Sequence, residues 1–147
     1  MRHLNRHPMW IVIMIVGGGT LVIALTWLLY LGIYLAIETL FYTETPLRVP
    51  VSQIRMGTAL GLSLLGVLLM RSKANAILKA LLIMSPISMV LVTLIFRVYA
   101  QPLSIVMIVV GYTGALLLGI RFAKLPWFYG VAVGTSVILS TLYAWPR

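Results

Sequence analysis

The chain has 147 residues, of which 62% are hydrophobic and 9% charged, and its mean hydropathy is +1.10. A soluble domain is roughly 45–50% apolar and 25% charged, so this chain cannot cover a water-facing surface, and a soluble globular domain or a disordered chain is excluded. The 11 Lys and Arg against 2 Asp and Glu give a formal charge of +9, and there is no cysteine, which removes structural disulfides and thiol chemistry.

A hydrocarbon core of about 30 Å is crossed by about 20 apolar residues in a helix, and five segments qualify. The first runs over 9–37 without a charge. At about 43 Å it is too long for an upright span, and is expected to tilt, protrude or bend near Gly17-Gly18-Gly19. The run extends far beyond the apolar region of a secretory signal, about 7–15 residues, and is read as a retained first helix. The sizeable loop over 38–52 follows, with both acids of the chain, Glu38 and Glu44. The second span covers 53–70 behind Pro50, with Ser52 as its expected N-cap. The third covers 74–96. The fourth, over 102–120, opens on Pro102, a favoured first-turn residue. The fifth covers 125–145, with Pro126 in its first turn. The runs are continuous and lack the alternation in segments of about 10 residues that marks a transmembrane barrel. The expectation is a single all-α transmembrane bundle over 1–147: one long helix, then two antiparallel helical hairpins.

Orientation follows the Lys and Arg of the loops. With the N-terminus in the cytoplasm, Arg2, Arg6, Arg71, Lys73, Lys79, Arg121 and Lys124 lie inside, and Arg48, Arg55, Arg97 and Arg147 outside. Both tight cationic turns then fall inside, where they meet anionic headgroups. The reading is N-in and C-out, in a bacterial-type plasma membrane. The basic residues stand singly or in pairs between apolar runs, so no nucleic-acid surface is expected. Trp10, Trp27, Trp127 and Trp145 read as interfacial belts.

Helices pack in lipid through small residues that let backbones approach. That spacing occurs at Gly57 and Gly61, at Gly111, Ala115 and Gly119, and at Gly130 and Gly134. These are the expected packing positions, within the bundle or, for the fourth helix, against another subunit. Pro86, flanked by Ser85 and Ser88, removes a backbone bond and predicts a kink or hinge in the third helix. The serine hydroxyls are expected to serve the freed carbonyls. The remaining scattered hydroxyls are expected to bond within their own helices.

Catalytic groups are scarce. There is no Asp, and both histidines, His3 and His7, precede the first span. No metal site, cofactor or nucleophile–base–acid set is expected, and Glu38 with Glu44 is the one carboxylate pair. Charges that touch hydrocarbon are the candidate functional residues: Glu38, Arg55 and Arg97 as an outer cluster, and Lys79, about two turns inside the third helix, snorkelling to the interface or meeting an anion. The expectation is a non-catalytic polytopic membrane protein, a small subunit or accessory component of a larger membrane complex. The alternative is a small oligomeric transporter or channel for an anionic or amphipathic solute or lipid. Expected partners are membrane lipids and either a membrane protein or further copies of the chain.

Overall fold

The computed structural model describes residues 8–41 and 51–145. His3, His7, Glu44, Arg2, Arg6, Arg48, Arg147 and most of the 38–52 loop lie outside the described residues. Among the described residues five α-helices follow one another: α1 Pro8–Phe41, α2 Val51–Arg71, α3 Ala76–Arg97, α4 Pro102–Phe122 and α5 Phe128–Ala144. Four are long and apolar enough to cross a membrane. The fifth is apolar but has 17 residues, about 26 Å. It is shorter than the expected 125–145 because Leu125 and Pro126 belong to the preceding turn.

α1 is one helix of 34 residues, about 51 Å long. Gly17-Gly18-Gly19 does not interrupt it. Gly18 and Gly19 serve close packing instead. A Cβ on Gly18 would stand 3.1 Å from Leu81, and one on Gly19 would collide with the Met84 thioether, both on α3.

The helix ends have identifiable causes. Ser72 bonds back to the Leu69 carbonyl through its backbone N–H at 3.0 Å and its hydroxyl at 2.7 Å. Asn75 then caps α3, its side chain accepting from the Ile77 N–H at 3.1 Å, so α3 starts two residues after the expected 74. Ser52 sits in the first turn of α2 rather than ahead of it. At the end of α4, Leu125 N–H donates to the Ile120 carbonyl at 3.1 Å and Lys124 N–H to that of Arg121 at 3.2 Å. This is the Schellman pattern, which places a left-handed residue, usually glycine, just past the helix. Here Lys124 holds that position, at φ 50°.

α3 is the centre of the molecule and touches all four other helices. Its stretch Met84–Met89 is buried throughout. One apolar cluster joins Ile11, Ile15 and Ile23 of α1 to Ala80 and Met84 of α3 and to Phe128, Tyr129 and Ala132 of α5. A second joins Ile87, Leu91, Val92 and Ile95 of α3 to Ile105 of α4 and Val133 and Val137 of α5. Trp27 packs against both clusters, so it belongs to the interior and not to a belt. Trp127 and Trp145 are 48% and 44% exposed at the two ends of α5. In the most apolar window of each helix, 56% of α3 but only 11% of α2 and 6% of α4 is buried. α2 and α4 therefore turn most of their apolar surface outward.

Candidate functional site

The backbone around Pro86 is where the helices meet. Proline has no N–H, so the helical bond from residue 86 to the Leu82 carbonyl is missing. On the α1 side, Thr26 donates to the Val22 carbonyl at 2.8 Å, and its oxygen lies 2.6 Å from the Ser85 hydroxyl. A hydroxyl has one proton, and Thr26 spends it within α1, so Ser85 is the donor between them. On the α5 side, Ser140 donates to the Ser88 hydroxyl at 2.8 Å and Ser136 to the Met84 carbonyl at 3.4 Å. The α4 Tyr112 hydroxyl donates to the Ile87 carbonyl at 3.4 Å. On the α2 side, Gly66 brings its backbone against Pro86, where a Cβ would meet the ring at 3.4 Å. Residues 84–88 thus reach α1, α2, α4 and α5.

Two expectations are corrected here. Ser85 and Ser88 bond to α1 and α5 instead of serving freed carbonyls of α3. Ser85, Ser88 and Ser136 link helices; Thr26 bonds to the Val22 carbonyl of its own helix and also accepts from Ser85, and Thr20, Thr58, Ser63, Thr93 and Thr113 bond to the carbonyl four residues back in their own helix. Tyr112 and Ser140 carry cross-helix bonds that sequence reading missed. A tyrosine or serine on an apolar face is the available signal, but without knowledge of the facing helix it identifies no partner.

Lys79 lies against the end of α2. Its ammonium donates to the Met70 carbonyl at 3.0 Å and the Ser72 carbonyl at 2.6 Å. The last carbonyls of a helix lack intrahelical donors, and the negative end of the helix dipole favours a cation there. The side chain does run back toward the turn, but it ends on backbone carbonyls that bind α3 to α2.

Among the described residues, Glu38 makes an ion pair with neither Arg55 nor Arg97, so the expected cluster is not formed through direct contact. Among the described residues no acid–base pair comes within 4.0 Å. Arg55 places its guanidinium 4.7 Å from the centroid of the Phe96 ring on α3, a cation–π contact of about 0.5–2 kcal/mol, and lies within electrostatic reach of the Tyr30 hydroxyl on α1. Its Nε is buried without a hydrogen-bond partner. Leaving a buried donor unsatisfied costs about 1–3 kcal/mol, more for a charged group. Arg97 reaches back to the Met56 sulfur at 3.6 Å. Tyr30 and Tyr143 both pack on Trp27, with ring centroids 5.7 and 4.8 Å away.

Beside this end of the bundle an apolar cleft runs between α1 and α2. One lobe of about 460 Å³ is bounded by Ile33, Ile37, Ile54, Gly57, Thr58 and Gly61. A second, of about 390 Å³, is bounded by Val22, Leu25, Gly66, Leu69 and Pro86. Leu29, Leu62 and Leu65 border both lobes.

The remaining expected packing positions are less enclosed than the spacing suggests. A Cβ added at Gly57, Gly61, Gly111, Gly119, Gly130 or Gly134 would meet nothing within 4 Å. Gly57, Gly61, Gly111, Ala115 and Gly119 are exposed, and Gly130 and Gly134 half-buried. Within the chain, the tight glycine contacts are those of Gly18, Gly19 and Gly66 with α3. No group of three or more metal-ligating side chains occurs among the described residues. Comparison with protein-family models, curated proteins and solved structures finds no match.

Proposed function

We propose that this protein is a non-catalytic membrane component, a small subunit or accessory protein of a larger membrane assembly, docked through α4. The observation that carries this reading is the stripe Gly111, Ala115, Gly119 on a helix whose one fully buried residue is Ile105. Tyr112, Leu116 and Ile108 pack inward against the core, while the stripe lies outward, with open space where Cβ atoms would stand at its two glycines. Lipid chains are as apolar as leucine and supply little drive for helix association. A flat strip of small residues lets a second helix approach closely enough for dispersion to do so.

In the membrane, α2 with α3 and α4 with α5 form antiparallel hairpins whose cationic turns lie in the cytoplasm, with α1 added ahead of them. The short connections Ser72–Asn75 and Ala123–Trp127 between these helices support that arrangement. A cysteine at Thr43 should then react with an impermeant thiol reagent on intact cells and one at Ser72 should not, and the reverse labelling would invert the orientation.

The docking reading is tested by isolating the tagged chain from its native membrane in mild detergent. A partner membrane protein at stoichiometric ratio is expected to co-elute, and Gly111→Leu with Gly119→Leu to release it while the chain itself stays monodisperse. Undiminished recovery of the partner on the double variant would rule out α4 as the docking helix, and elution of the wild-type chain alone would rule out the assembly.

A further inference from the structure

Among the described residues, the end of the bundle that carries Arg55 has a cation without an anion. Its Nε–H is buried with no acceptor, its guanidinium faces the Phe96 ring, and Arg97 stands near it on Met56. No acid among the described residues approaches either cation within 4.0 Å. An arginine at the edge of hydrocarbon is expensive unless it is paired, and its planar fork is matched by phosphate or carboxylate oxygens.

The α1–α2 cleft begins at Ile54, the residue before Arg55 in α2, and ends at Leu69, a rise of about 22 Å along α2. Half of a bilayer core, the depth one acyl chain covers, is about 15 Å. The cleft walls offer almost no recognition to a polar solute. Thr58, Thr26 and Ser85 are the hydroxyl residues that line it; the first two donate to their own helices and Ser85 to Thr26. Glycine at 57 and 61 leaves the wall open where side chains would fill it. An unpaired cation at one end and a dry trough longer than a lipid tail below it fit an anionic amphiphile. A partner helix would fill the trough but bring no phosphate to the guanidinium, whose planar fork suits one.

We infer that an anionic phospholipid binds this chain, its phosphate on Arg55 and one acyl chain in the cleft between α1 and α2. Arg97 adds charge at the same end without direct contact to the cleft. The site is separate from the α4 stripe, so it stands whether or not α4 docks a partner.

The intact protein in mild detergent is titrated with dioleoyl-phosphatidylglycerol, with dioleoyl-phosphatidylcholine in parallel, and retained lipid is counted by native mass spectrometry. At least five-fold preference for phosphatidylglycerol is expected on the wild-type chain. Arg55→Gln should abolish the preference, and Gly61→Leu should lower retention of phosphatidylglycerol at least three-fold at unchanged helical content and elution volume. If Arg55→Gln fails to assemble, Gly61→Leu decides alone, because its new side chain points into open space and not into a packed contact. Equal retention of the two lipids by wild type, or undiminished retention on Gly61→Leu, overturns the proposal. So does displacement of the lipid by glycerol phosphate at comparable concentration, which would show a headgroup site without a chain. A dimer that Gly61→Leu dissociates while lipid retention persists also overturns it, by placing a second copy in the cleft.

Discussion

Ser85 of α3 donates its hydroxyl proton to Thr26 of α1 across 2.6 Å, and Thr26 passes its own to the Val22 carbonyl. Both residues are buried, so the pair has no water to fall back on, and the alternative to the bond is an unsatisfied hydroxyl next to the proline. Cross-helix bonds of this kind in membrane proteins average about 0.6 kcal/mol and reach about 1.7. A double-mutant cycle with Thr26→Val and Ser85→Ala, followed by unfolding in SDS from mixed micelles, is expected to give a coupling of about 0.5–1.5 kcal/mol. Additive single effects would show that the two hydroxyls do not interact.

The glycines separate into those that meet a neighbour and those that do not. Gly19→Leu pushes into Met84, which is itself fully buried. Overpacking of that sort costs about 1–3 kcal/mol. Gly57→Leu enters open space and should change the stability of the isolated chain by less than about 0.5 kcal/mol. The same SDS titration compares them, and equal losses would remove the distinction.

Lys79 is expected to matter for the turn between α2 and α3 and not as a free charge. Lys79→Met keeps most of the stem and removes the two donated bonds at Met70 and Ser72. Bonds from charged donors contribute about 1.5–3 kcal/mol, so a loss of about that size is expected. Faster amide exchange near Ser72 should accompany it. A variant that leaves exchange there unaltered would mean the carbonyls find water equally well.

Lys124 carries a left-handed backbone without the freedom of glycine. That conformation costs an L-residue about 1–2 kcal/mol. Lys124→Gly removes the strain at the price of some unfolded-state entropy, and is expected to raise stability by about 0.5–1 kcal/mol. A destabilised glycine variant would show that the lysine side chain contributes more than its backbone costs.

Much of the architecture is legible in hydropathy, since α1 to α4 begin and end within a few residues of the apolar runs. The misses concern helix rotation. In water a helix declares its inner face by the contrast of polar and apolar residues. α1, α4 and α5 are apolar all round, so nothing in their sequences says that Thr26, Tyr112 or Ser140 faces α3 while Thr20 and Thr113 stay within their own helices. The GxxxG spacing on α2 misleads for the same reason: periodicity marks Gly57 and Gly61 as one face without saying whether a helix lies opposite. Gly66 and Gly19, which do meet α3, belong to no such pair.

Composition by itself determined the solvent and the class of element. A chain this apolar has to satisfy its backbone internally, and helices built from continuous runs do so one segment at a time. Only the tertiary structure decided which carbonyls hold Lys79, which hydroxyls gather at residues 84–88, and that Arg55 stands over Phe96 with its Nε–H unmatched. Those outcomes depend on the rotation and neighbour of each helix. Inside hydrocarbon the sequence records these through a few small and hydroxyl-bearing residues whose partners are far along the chain.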